Sequence, residues 1–490
     1  MRGRATARAT KKNRRQDSSL NRTIPLVLAV ALFMEQMDST VIATSLPAIA
    51  ADIGTDPIAL KLALTAYLVS VAIFIPISAW MADRFGARRV FCTAIGVFVV
   101  GSIACAFAGS LSGFVLARFL QGMGGAMMTP VARLLLVRAT PRGNLVSAMA
   151  WLTAPALIGP LLGPPVGGFI TTFVSWHWIF LINVPIGLAG IVAAALLLPE
   201  AGGEGTAPID MRGFVLSGLA TAGIVFGLSV VSLPALPPVV GMVTLSVGIA
   251  ATGLYLAHAR RAARPILDLS LFGNASFRAA ITGGSIFRFG SGATPFLLPL
   301  MFQLGFGMTP FESGMLTFTA AIGAIGMKFF AGRTLRRGGF RTVLIVAALG
   351  GALMIAAAGL FSSGTPVWVI MAVLIAAGFL RSLFFTSVNA LVFADLDDAR
   401  AGQATAIAAV TQQVSIALGV ALAGLILEAV TTISGQPLQA GAFQIAFFIV
   451  AGVAAMAALP FWMLHPTAGN AVSGHRLGGD NARSQVLPPR

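Results

Sequence analysis

Phe33 to Thr40 reads FMEQMDST and lies inside an apolar run long enough to cross a membrane. Two carboxylates, Glu35 and Asp38, sit three residues apart, so a helix places them on one side. An ionised carboxylate at that depth persists only when it is hydrated or paired. Held between desolvation and a neighbouring cation, it changes protonation as water reaches it or withdraws. That is the chemistry of a proton-coupled carrier. The competing reading is a static ion pair that holds helices together. Asp38 takes first place in the coupling role and Glu35 second. Arg118, which opens RFLQGMGG, is the cation expected to face Asp38, and Gln121 shares its helix face.

Three further groups carry candidate chemistry. In GPLLGPPVGG, Gly159, Gly163 and Gly167 recur every four residues and strip one helix face of side chains. Pro160, Pro164 and Pro165 remove backbone donors there and bend the helix. The stretch reads either as a pliable seal or as ordinary small-residue packing. Asp83 to Arg89 (DRFGARR) reads as a tight charged turn in which Gly86 permits the reversal. Asp83 there is expected to hold a helix end or an Arg and latch one conformation, or to be a stray acid in a basic anchor. Arg288 and Arg381 fall deep in apolar segments and need partners. They read equally as cavity residues meeting an anionic or zwitterionic substrate group and as groups satisfied by carbonyls or by Gln412 and Gln413. Glu312 and Glu428 are placed near the outer boundary, in reach of water, and Lys61 in an external loop. Trp176-His177-Trp178 reads as an interfacial anchor.

The elements that must position these residues follow from composition. Of 490 residues, 57% are hydrophobic and only 10% charged, with mean hydropathy +0.90. A water-soluble chain of this length cannot bury that much apolar surface. Segments long enough to span a bilayer fall near 23–49, 58–81, 90–109, 112–137, 143–171, 178–198, 212–231, 237–257, 275–303, 310–331, 341–361, 366–393, 402–430 and 440–464. The fold expected is therefore an all-α membrane protein of fourteen helices. With the N-terminus inside, the cytoplasmic loops and tails hold 26 Lys/Arg and the external loops hold one. That asymmetry sets both termini in the cytoplasm and accounts for the net charge of +16 without nucleic acid. Residues 86–90 (GARRV) resemble 339–343 (GFRTV). Both follow a helix of matching rank if helices seven and eight are an insertion, which gives six, two and six.

The segments divide the chain into a basic tail (1–22), a first bundle (23–198), loops with two inserted helices (199–274), a second bundle (275–465) and a closing tail (466–490). No phosphate loop occurs, and none of the four lysines follows a glycine. The cytoplasmic loops are too short for a nucleotide-binding domain. Neither a catalytic constellation nor histidines at metal-ligand spacing appear. Enzyme, metal and cofactor readings are therefore set aside, and an ion gradient is the expected driver. Cys92 and Cys105 share one apolar segment and read as packing residues.

Over roughly residues 24 to 464 the chain resembles the major facilitator superfamily in its fourteen-helix drug:proton antiporter branch. The first-helix motif matches at Met37 to Pro47 and the loop motif at Met81 to Arg89, with Ala79 in place of the usual leading glycine. The fourth-helix motif matches at Arg118 to Gly125. The antiporter motif is met by Gly159, Gly163, Pro164, Gly167 and Gly168, and the Trp-x-Trp run covers Trp176 to Pro185. The resemblance implies two six-helix bundles around a central cavity. It also implies coupling roles for Asp38 and Arg118 and a conformational gate at Asp83, Arg84, Gly86 and Arg88. The substrate cavity is expected to take Asp38, Gln121, Arg288, Arg381 and Gln412. The expected activity is proton-driven multidrug efflux across a bacterial inner membrane. Its partners are a small-molecule substrate, protons and the lipid bilayer, with a periplasmic adaptor left open. Two rivals stand beside it: export of an anionic metabolite such as an organic acid, and a membrane sensor or scaffold with no transport cycle.

Overall fold

The computed structural model describes residues 23–141, 144–200, 208–231, 237–397, 400–435, 438–473 and 475. The basic tail 1–22 and most of the closing tail lie outside the described residues. Those described are helices and turns, with no strand among them. In chain order the long helices are α1 (Thr23–Val41), α2 (Lys61–Phe85), α3 (Ala87–Ala106), α4 (Leu111–Ala139), α5 (Leu145–Phe173) and α6 (Asn183–Leu197). Then come α7 (Met211–Val230), α8 (Pro238–Ala259), α9 (Ala275–Ser291), α10 (Pro310–Lys328), α11 (Ala331–Ala358), α12 (Val367–Ala394), α13 (Ala401–Ser434) and α14 (Ala440–Met456).

Eleven helical runs among the described residues are long and apolar enough to cross a membrane. The other three expected segments are helical too, and each has a physical reason for falling short. Helix α4 spends apolar positions on Arg118, Gln121 and several glycines. Helix α10 carries Glu312 and Lys328 at its ends. The segment of α9 breaks after Ser291, resumes at Thr294–Leu300 and widens over Met301–Gly305. Large apolar side chains such as Leu116, Leu196, Leu353 and Trp368 stand exposed. Lipid covers such a surface and water disfavours it.

Helices α1 to α6 pack on one another, as do α9 to α14, while α7 and α8 form a hairpin lying against α2 and α13. The internal repeat has a conformational signature. Gly86 stands at φ +90° between α2 and α3, and Gly339 at φ +65° inside the run of α11. Both occupy the left-handed region, which favours glycine. Each half also clamps its second and fourth helices with a glycine. A Cβ on Gly122 of α4 would stand 2.6 Å from the Tyr67 carbonyl of α2, and one on Gly378 of α12 would stand 1.7 Å from the Ala320 carbonyl of α10.

The contacts joining the two halves gather at the end away from the basic loops. Gly168 of α5 packs on the Pro310 carbonyl, and Gly314 of α10 packs on the Pro164 carbonyl. Gln303 Nε2 donates to the Thr44 carbonyl at 2.9 Å, and the Phe311 amide donates to Thr172 Oγ1 at 3.1 Å.

At the basic end, Asp210 ties the inserted hairpin together. Its carboxylate caps α7 by accepting from the Gly213 amide (2.9 Å), meets His258 Nε2 of α8 (2.7 Å) and accepts from the Ile266 amide (3.3 Å). Burial alone would push the Asp210 carboxyl up; the Gly213, His258 and Ile266 contacts outweigh it and hold the group below its ordinary value of 3.8. A folded value below the unfolded one stabilises the hairpin above the ordinary value and loses that stabilisation as pH falls past it. Amide protection at the start of α7, the exchange rate set against the intrinsic rate at each pH, should therefore fall in the wild type between about pH 6 and about pH 3. In Asp210→Asn protection there should already be low at neutral pH and change little with acid.

Candidate functional site

Helix α1 carries FMEQMDST between the two bundles, and its two carboxylates face different surroundings. Three residues fall about 60° short of a full turn, enough to separate them. Asp38 is fully buried toward α4 and α6. Arg118 Nη1 donates to Asp38 Oδ2 at 2.8 Å and to Gln121 Oε1 at 2.5 Å. Gln121 Nε2 donates to Asp38 Oδ1 at 2.8 Å and to Ser102 Oγ at 2.8 Å, and Asn183 Nδ2 donates to Asp38 Oδ1 at 3.0 Å. The Arg118 guanidinium lies 4.4 Å from the Tyr67 ring centroid. A buried ion pair needs this kind of hydrogen-bonded cage to offset the loss of hydration.

Glu35 looks the other way, into a cavity of about 370 Å³ between the bundles. Thr129 Oγ1 donates to its Oε2 at 2.7 Å. Gln36, Ser39, Thr40, Tyr67 and Arg118 line the cavity from the first half, and Phe287, Phe318, Arg381, Gln412 and Gln413 line it from the second. Mostly apolar walls with a few converging polar groups suit a small amphipathic ligand. Asp38, Gln121 and Arg288 are not in the wall. Arg288 points elsewhere, with Nη2 3.4 Å from Asn389 Oδ1 and its guanidinium 4.9 Å from the Phe385 ring centroid. Arg381 reaches the wall with no hydrogen bond or ion pair to another described residue.

The glycine stripe of α5 presses on α1 beside these carboxylates. A Cβ on Gly159 would lie 3.0 Å from the Met37 nitrogen and the Phe33 carbonyl oxygen. One on Gly163 would lie 2.0 Å from Thr40 Oγ1, and one on Gly167 would lie 2.4 Å from the Val41 carbonyl. The stripe thus seats the one helix that bears both Glu35 and Asp38.

A profile described as the Major Facilitator Superfamily matches residues 28–282 and 280–483. The chain belongs to that superfamily. A Serratia proteamaculans relative, provisionally named multidrug resistance protein MdtD, is 35% identical over 446 residues, covering 89% of this chain and 92% of its own. An Escherichia coli relative with the same provisional name is 37% identical over 403 residues, covering 82% and 85%. The solved D-xylose-proton symporter superposes with a TM-score of 0.67 over 92% of this chain and 99% of its own. At 16% identity that likeness speaks for the fold alone. As a superfamily member the chain is a multi-pass membrane transporter and not an enzyme.

The charged turn of residues 83–89 makes its contacts within the first half. Asp83 Oδ1 meets Arg138 Nη2 of α4 at 2.5 Å. Arg88 Nη1 donates to the Ala195 and Leu198 carbonyls at 3.2 and 3.1 Å, and Nη2 pairs with Glu200. Arg84 is exposed, and Gly86 makes the reversal. Of the aromatic run only Trp178 is exposed as an interfacial anchor should be. Trp176 is buried and donates from Nε1 to Asp52 Oδ2 at 3.1 Å.

Two sequence expectations are corrected. Lys61 is not in an external loop; it opens α2, fully buried, with Nζ 2.6 Å from Glu428 Oε2. Glu428 is likewise buried, not served by boundary water. Asn183 and Thr129 also hold the carboxylates, and Ser102 accepts from the Gln121 and Asn183 amides; the sequence reading does not include these three. Asn183 stands inside the Trp176–Pro185 run, where a lone amide in an apolar helix start was the available signal.

Proposed function

We propose that this chain is a proton-driven exporter of small amphipathic molecules, working by alternating access between bundles 23–198 and 275–465 in a bacterial inner membrane. The basic loops and both termini face the cytoplasm, so the described structure is joined on the outer side. The observation that carries the reading is Glu35, a carboxylate that opens onto the inter-bundle cavity while Asp38, three residues on, is sealed against Arg118. Glu35 takes and releases the coupling proton as the cavity faces each side in turn. The Asp38–Arg118 cage fixes the orientation of α1 and tunes the local field. The order of the two acids thereby reverses the sequence expectation, because exchange requires access and Asp38 has none here. Substrate occupies the apolar walls, with Gln412 and Arg381 as polar contacts. The charged turn around Asp83 and Arg138 gates the cytoplasmic side.

A second reading is favoured by Arg381, whose guanidinium reaches the cavity without a described partner: the substrate carries an anionic group, as an organic acid does. Proteoliposomes test both. With an imposed pH gradient, wild type should move a substrate from a panel of lipophilic cations and organic acids, and Glu35→Gln should abolish gradient-driven flux while leaving gradient-free exchange. Gradient-driven flux unchanged in Glu35→Gln removes the coupling assignment. Vesicles in which wild type moves nothing favour the sensor or scaffold.

A further inference from the structure

The mechanism above makes no use of Lys61 and Glu428, yet theirs is the one ion pair among the described residues that crosses from one bundle to the other. Lys61 is the first residue of α2 and is 0% exposed; the Glu428 side chain, near the end of α13, is 7% exposed. Nζ and Oε2 are 2.6 Å apart. The geometry was made for this reach. A Cβ on Gly424, one helical turn before Glu428, would stand 2.2 Å from Lys61 Cδ, so an added methyl would push the lysine stem from its present path across the interface. The pair lies at the same end as the Gly168–Pro310, Gly314–Pro164 and Gln303–Thr44 contacts, above the cavity wall formed by Thr44 and Val420.

We propose that Lys61 and Glu428 are the outer latch of the transport cycle: their contact holds the bundles closed on the outer side, and it breaks and re-forms once per turnover. This rests on the alternating-access reading, since a latch has meaning only if the bundles part. Two charges suit the task better than two apolar groups. A buried pair gains little over an apolar pair while closed, because each partner has lost its hydration. On opening, both ends regain water, so the closed and open states stay close in free energy. Removing one partner takes from the other its 2.6 Å countercharge in the closed interface and favours opening. Removing both charges leaves neither to be stranded, so the seam closes firmly. Lys61 and Glu428 are thus positioning residues, acting on access and not on substrate.

The test reads access directly. In a Cys92→Ala background, Thr317→Cys places a thiol on the cavity wall, and a membrane-impermeant maleimide is added from the outer side of oriented vesicles. Lys61→Met and Glu428→Gln should each label at least about tenfold faster than the parent, because a buried charge without its close countercharge disfavours the closed interface. Gly424→Ala keeps both charges, crowds the lysine stem, and should also label faster. The double variant Lys61→Met/Glu428→Gln should label at or below the parental rate and transport more slowly. A single variant too unstable to purify leaves the double and Gly424→Ala to decide. Parental labelling rates in the single variants or in Gly424→Ala, or a double variant that labels as fast as the singles, overturn the latch. If labelling follows the expected pattern while wild type carries no gradient-driven flux, the latch stands and the export reading falls. If flux is intact and labelling does not respond, only the latch falls.

Discussion

Arg118→Leu is expected to be among the most damaging single substitutions in the chain. Arg118 is 1% exposed and binds a carboxylate that is 0% exposed, through one 2.8 Å contact. Without it, Asp38 keeps the Gln121 and Asn183 amides but loses its countercharge. Breaking a buried pair from one side costs about 3–5 kcal/mol, far more than the net worth of the pair, because a charge is left buried alone. Asp38→Asn strands the guanidinium in the same way. Both single variants should lose several degrees of thermal stability in detergent and much of their folded yield. The double variant Arg118→Leu/Asp38→Asn should recover most of that loss, since no charge remains to strand. If Glu35 carries the proton, the double variant also retains gradient-driven flux at a reduced rate, in contrast to Glu35→Gln. Recovery of stability without any flux would place Asp38 back at the centre of coupling.

The sequence is legible here where a residue is costly in lipid. Asp38, Arg118 and Gln121 announce themselves because polar groups in an apolar run need partners, and the structure brings those three together. Helix positions were legible from hydropathy, and the repeat from two glycines that prove to share a left-handed turn. What spacing cannot reveal is the direction in which a side chain points between packed helices. Glu35 and Asp38 differ by about 60° around α1, which decides cavity against cage, and that angle acquires meaning only when α4 and α5 are in place. Arg288 and Arg381 look alike in sequence, yet Arg381 reaches the cavity and Arg288 does not. Lys61 and Glu428 were hidden for a related reason. Each lies near a segment end, where charge is ordinarily hydrated, and 367 residues separate them. Only the seating of α2 against α13 turns two boundary charges into one buried contact.

The seating of α5 against α1 also depends on glycine, and Gly167→Ala is the second substitution expected to have a large effect. A Cβ there would stand 2.4 Å from the Val41 carbonyl and 2.8 Å from both Thr44 Oγ1 and Val41 Cγ2. The nearest atom is backbone, so no rotamer change relieves it; α5 must move away from α1. Gly163 differs, because its nearest neighbour is the Thr40 hydroxyl, a side-chain tip. Overpacking of this kind costs about 1–3 kcal/mol. The functional loss should exceed the loss of stability, because Val41 and Thr44 lie at the end of α1 where the Thr44 carbonyl accepts Gln303 from the other bundle. A shift of a few tenths of an ångström at Gly167 therefore reaches both the inter-bundle contact and the helix that presents Glu35. Gradient-driven flux in Gly167→Ala should fall to a small fraction of wild type while the purified protein remains folded. Gly96→Ala in α3, with nothing within 4 Å of the added methyl, should leave flux and stability unchanged or slightly improved. Equal flux in the two variants would mean that α1 and α5 move apart freely during the cycle, and that the stripe is packing alone.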